Sequence, residues 1–186
     1  MQGNEIVTTQ RVRTVRVRSR NAQRGASLLE AIAYLGIAAI VVIGAVALLN
    51  GAFNSAGTNE LSEQVNAIQA GVKKLYMGQA GGYTNVNNSV LSAAGVFPST
   101  VPVASGGAAT DVWGGNVTVG AGTSPGTFTI EYDNVPPAVC INAVTAGGSW
   151  SSITVGTATE TLLPIDPSTA QKDCGTSNVS ITWTST

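Results

Sequence analysis

The longest apolar stretch runs from Ala31 to Leu49, nineteen residues with no charge and one polar ring, Tyr34. At 1.5 Å per residue, a helix of that length covers about 28 Å, close to the hydrocarbon thickness of a bilayer. Gly36, Gly44 and Gly51 interrupt it, each weakening the helix by about 1 kcal/mol relative to Ala. "NGAFNSAGTN" (50–59) is weaker still, so a kink, a frayed stretch or a break is expected there. Helical spacing resumes in "ELSEQVNAIQAGVKKLYMG", where Leu61, Val65, Ile68, Val72 and Leu75 recur at intervals of 4, 3, 4 and 3. Thr58 or Asn59 is a candidate cap. Glu60 and Glu63 near the start and Lys73 and Lys74 near the end suit the helix dipole. Gly78 and the Gly81-Gly82 pair end the segment. The pattern predicts a long N-terminal helix, apolar all round in its first half and amphipathic in its second. Its narrow stripe needs a partner surface, most simply a sheet of the same chain.

Beyond Gly82 the period changes. "NNSVLSAAG" (87–95) reads as a short helix ended by Gly95 and Pro98. Five strand-like pieces follow: "NVTVG" (116–120), "TFTIEYD" (127–133), "AVCINAV" (138–144), "SSITVG" (151–156) and "VSITWTS" (179–185). Gly114-Gly115, Ser124-Pro125-Gly126, Pro136-Pro137 and Gly147-Gly148 separate them as turns. The expected class is α+β: a long N-terminal helix packed on one antiparallel sheet. Trp113, beside two glycines, reads as a core anchor at a tight turn, with a partner-facing aromatic as the alternative.

Charge divides the chain. Its 186 residues carry a net −1, yet residues 1–25 sum to +5 and residues 26–186 to −6. The excess comes from Arg11, Arg13, Arg16, Arg18, Arg20 and Arg24. Arginine-rich flanks stay in the cytoplasm, so Ala31–Leu49 is expected to insert with its C-terminal end outside. The apolar run follows the basic segment without the layout of an ordinary secretory signal. The acidic remainder has no basic stripe, which argues against nucleic acid as a partner.

Candidate chemistry is sparse. There is no histidine, so the commonest general base and metal ligand are missing. A Ser-His-Asp arrangement is excluded. Asp111, Asp133, Asp166 and Asp173 are scattered near turns, where Asp serves the backbone. The expectation is no enzyme, no catalytic residue, no metal and no cofactor. Cys140 and Cys174 fit neither a zinc spacing nor a CxxC motif. In an exported chain they most simply form one disulfide, with two reduced buried thiols as the alternative. The sequons at Asn87, Asn116 and Asn178 are read as chance matches in a chain rich in Asn, Ser and Thr.

A basic leader ending in Gly25, then Ala26, a short apolar series, Glu30 and a long apolar helix together resemble a type IV prepilin. The 25-residue leader and a first residue other than Phe are similar to the type IVb subclass, within it the PilS-like major pilins. "KKLYMGQAGGYTNVNNSVLSAAGVFPSTV", "DVWGGNVTV" and "FTIEYDNVPPAVCINAV" resemble that group's downstream segments. The resemblance implies a leader (1–25) cut by prepilin peptidase between Gly25 and Ala26, with N-methylation of Ala26. It implies a transmembrane and filament-core helix (26–52) and an extracellular globular domain (53–186), with Cys140 and Cys174 bracketing the D-region (140–174). Glu30 becomes an assembly residue, facing the amine of a neighbouring subunit.

The implied function is a structural subunit, the major pilin, of a bacterial type IVb pilus used for adhesion, aggregation or conjugative mating. Its partners would be further copies in a helical filament, the peptidase and the inner-membrane assembly machinery. It would sit in the inner membrane as prepilin and then in the extracellular fimbrium. A minor pilin or type II secretion pseudopilin is the nearest alternative. A membrane-anchored periplasmic binding protein or enzyme is a distant one. The proline that kinks many pilin helices is absent, leaving Gly44, Gly51 or the 50–59 patch to serve.

Overall fold

The computed structural model describes residues 27–186. Gly25, Ala26 and the arginines before them lie outside the described residues. Helix α1 covers Leu28–Tyr76. It is followed by α2 (Asn88–Ala93), β1 (Ala109–Thr110), β2 (Asn116–Ala121), β3 (Phe128–Val135) and α3 (Pro137–Thr145). The chain then forms β4 (Ser152–Val155), β5 (Ala158–Glu160), α4 (Pro167–Cys174) and β6 (Val179–Ser185).

The chain divides into two compact units, the second beginning at Gly44. The first contains, among the described residues, the opening turns of α1, and every large apolar side chain there is exposed. The second unit holds one antiparallel sheet in the order β1-β2-β3-β6-β4-β5. The last strand of the chain is therefore central: Ile130 of β3 lies opposite Val119 on one side and Trp183 of β6 on the other. Alternation buries Phe128, Ile130 and Tyr132 on one face of β3. A register shift between Tyr132 and Val135 adds Asn134, at φ 58°, and brings Val135 rather than Asn134 inward.

The stripe of α1 packs into the same core. Leu61, Val65, Ile68 and Val72 are all buried beside the inward residues of β3 and β6. Each such side chain contributes about 1.5–3 kcal/mol on full burial, which together outweighs the glycine penalties along the helix. Leu75, the fifth stripe position, is 38 % exposed at the edge.

Several local expectations are corrected. The 50–59 patch is helical throughout. Its hydroxyls bond back onto the helix, Ser55 Oγ donating to the Gly51 carbonyl at 3.0 Å and Thr58 Oγ1 to the Asn54 carbonyl at 2.8 Å. Thr58 and Asn59 are therefore interior positions rather than caps. The apolar run 138–144 forms the helix α3 in place of a strand. Pro137 starts it, because its fixed φ and missing N–H suit a first helical turn. Val139, Cys140, Ala143 and Val144 then share a buried helical face. Three elements were absent from the sequence reading: the two short edge strands β1 and β5, and the polar helix α4.

The cysteines are joined. The Cys140–Cys174 bond ties α3 to α4 across a separation of 34 residues, with Cα atoms 5.9 Å apart. Both are buried, and the bond between them sets aside the alternative of two reduced thiols.

Candidate functional site

The expected assembly region begins where the described chain begins. Ser27 precedes α1 and caps it: its Oγ accepts from the Glu30 N–H at 3.2 Å, and its carbonyl accepts from Glu30 at 2.9 Å and Ala31 at 3.1 Å. Glu30 thus sits in the first turn, where the helix dipole favours a negative charge. One turn on, the Tyr34 hydroxyl donates to Glu30 Oε1 at 3.3 Å. Around the pair the surface is apolar, with Leu29, Ile32 and Leu35 exposed. An 18-residue window of α1 reaches a mean hydropathy of 2.7 with none of it buried. After Arg24 the next basic residue is Lys73, so the apolar segment itself supplies no counter-charge. Gly25 and Ala26, the expected cleavage and methylation positions, lie outside the described residues.

The second unit carries a polar network under α1. Gln64 is 3 % exposed and bridges three elements. Its Nε2 donates to Glu60 Oε1 at 3.1 Å and Thr100 Oγ1 at 3.1 Å, while its Oε1 accepts from the Tyr132 hydroxyl at 3.2 Å. Burial pushes the Tyr132 phenol well up from its usual range, so it remains a donor. Trp113 is half-buried, and its ring lies against Gly57 of α1, where a Cβ would come within 2.9 Å of Cζ2. The core-anchor reading of Trp113 holds, and α1 becomes buried from Gly57 onward.

A groove of about 230 Å³ opens beside α1, walled by Trp150, Trp183 and Gly147-Gly148, and its lining holds no titratable side chain. Among the described residues no group of three His, Cys, Asp or Glu side chains converges. Sequence reasoning passed over Gln64 and the hydroxyl of Tyr34, and it read Asp111 as one of several turn aspartates serving the backbone. The i, i+4 spacing from Glu30 could have drawn attention to Tyr34, and the stripe position next to Val65 to Gln64.

A family model described as PilS N terminal matches residues 55–186, most of the chain. The chain belongs to this family of type IVb pilins. Its fold agrees with that family. A type IV b pilin from Salmonella typhi aligns with a TM-score of 0.56 at 19 % identity, over 69 % of this chain and 97 % of that one. TcpA, a type IV pilin from Vibrio cholerae El Tor biotype, aligns at 0.49 and 14 % identity, over 70 % of this chain and 99 % of that one. No curated protein sequence matches. The pilin is accordingly a structural subunit, with α1, the antiparallel sheet and the Cys140–Cys174 bridge as the elements of the type IV pilin fold.

Proposed function

We propose that this pilin is the major subunit of a type IVb pilus. A prepilin peptidase cuts between Gly25 and Ala26, and the new amine of Ala26 is N-methylated. The opening half of α1 anchors the subunit in the inner membrane and then forms the filament core, while the sheet-bearing unit faces outward. The observation that carries this reading is an apolar helical surface, exposed over its full length, that bears one carboxylate at its first turn.

The physics of that carboxylate supports an assembly role. A charge at a membrane centre costs about 2.5–3.5 kcal/mol on insertion scales and less toward the interface. The Tyr34 hydroxyl offsets part of that in the single subunit. At 3.3 Å this contact is longer than the usual O–H···O bond of about 2.5–3.0 Å and is correspondingly weak. The amine of a neighbouring Ala26 is the stronger partner, because it adds opposite charge to the hydrogen bond. Pairing Glu30 with it sets the axial register of the incoming subunit, and the apolar helices then bury against one another in a repeating head-to-tail contact. Adhesion, aggregation or conjugative mating are the uses such a filament would serve.

Replacing Glu30 tests this. The Glu30→Ala variant is expected to be processed and inserted normally and to yield few or no sheared filaments. Wild-type filament yield from that variant contradicts the pairing.

A further inference from the structure

The turn joining β1 to β2 holds a carboxyl with half of its bonding capacity unused. Asp111 is 6 % exposed. Its Oδ1 accepts from the backbone N–H of Trp113 at 2.9 Å and of Gly115 at 2.7 Å. Its Oδ2 is buried without a partner. The seat is tight: a Cβ on Gly115 would lie 2.9 Å from Oδ2 and 2.1 Å from the Asp133 carbonyl oxygen. A buried carboxylate oxygen with no donor is costly when ionised. A hydrogen on Oδ2 removes the charge, the larger part of that cost, from an oxygen that has no donor.

The neighbours favour the same state. From β3, Asp133 faces Asp111 as a like charge, and Tyr132 lies beside it as a phenol. From α1, Glu60 acts on Tyr132 as a further acid. None of these groups carries a positive charge. Burial, with a smaller push from Asp133, raises the Asp111 carboxyl from its usual range despite the N–H bonds to Oδ1.

The turn is joined to the helix. It carries Trp113, whose ring lies on Gly57, and the Trp113 carbonyl accepts from Asn134 Nδ2 at 2.7 Å at the bulge of β3. We propose that Asp111 is a proton-operated latch on the helix–sheet contact. Protonated, it keeps the 111–115 turn closed with Trp113 seated on Gly57. Ionised, it draws water to Oδ2, and the turn loosens from α1. The sign follows from the raised folded-state value. The latch contributes fully on the acid side of the ordinary Asp range, and its contribution is lost as pH rises through the folded-state value.

The full chain, labelled with 5-fluorotryptophan in detergent micelles, gives one fluorine resonance for each of its 3 tryptophans. Between about pH 4 and 8, a window above the ordinary Asp value, the Trp113 resonance is expected to move along a single titration. Asp111→Asn is expected to abolish that movement. Asp133→Asn is expected to keep it and shift its midpoint to lower pH. A Trp113 resonance that stays fixed, or one that moves equally in Asp111→Asn, overturns the latch. Should Asp111→Asn lose the dispersion of the buried Trp183 resonance, the Asp133→Asn midpoint decides, and an unchanged midpoint contradicts the proposal.

Discussion

Glu30 is the one charged residue on α1 before Glu60, and its surroundings explain how it is tolerated. Ser27 and the first helical turn hold its backbone, and Tyr34 supplies a donor to its side chain. Gly57 poses the opposite problem, a residue that weakens a helix placed where nothing larger fits. Alanine there would gain about 1 kcal/mol in helix propensity. Its Cβ, however, would fall 2.9 Å from the Trp113 ring and 3.5 Å from Val139 Cγ2, and overpacking costs about 1–3 kcal/mol. Gly57→Ala should therefore lower stability by about 1 kcal/mol, read as a reduced denaturation midpoint. Gly51→Ala, with open space around its Cβ position, should raise it. A midpoint raised equally by both substitutions would mean that Trp113 is not seated on the helix.

Among the elements, α3 and α4 depend most on a covalent tie. α4 is polar apart from Ala170 and Cys174, and α3 is nine residues long. Opening the Cys140–Cys174 loop of 34 residues should cost about 3–4 kcal/mol in the chain-entropy model. The double variant Cys140→Ser, Cys174→Ser should melt well below wild type under oxidising conditions, and reductant should have no further effect on it. Equal melting of the two proteins would show that packing alone secures this region.

These two helices also mark where the sequence was hard to read. The 138–144 run is short, apolar and β-branched, so periodicity alone did not separate helix from strand, and the deciding signal was Pro137 at a first-turn position. α4 buries so little that no apolar period exists, although Asp166-Pro167 was a legible start: the Asp166 side chain accepts from the Ser168 N–H at 2.9 Å. By contrast, the second half of α1 and β2, β3, β4 and β6 bury whole faces and declared their period. Glu30 stood out because a carboxylate in an apolar run is anomalous by composition. Asp111 did not, because an Asp near a Gly-Gly turn is ordinary and only tertiary packing shows that its second oxygen is enclosed.

On the scale of the whole molecule, the chain assigns two tasks to one helix. Up to Ile43 the large apolar residues of α1 are exposed, and from Gly57 its inward face belongs to the core of the sheet. A lone subunit therefore carries an apolar surface that water does not tolerate, and the proposed cycle supplies a membrane first and neighbouring subunits afterwards. Residues 1–25 are basic, residues 26–186 carry net negative charge and the span Ala31–Leu49 is uncharged, a division that fits the proposed leader and mature subunit. The proposed cut after Gly25 would create the amine that Glu30 is proposed to meet. The most direct test is mass spectrometry of the N-terminus of material sheared from the cell surface. The expected result is an abundant chain beginning at Ala26, one methyl group heavier than the unmodified sequence, with Cys140 and Cys174 oxidised. A sheared fraction in which the chain keeps residues 1–25, or from which it is missing, would contradict the account.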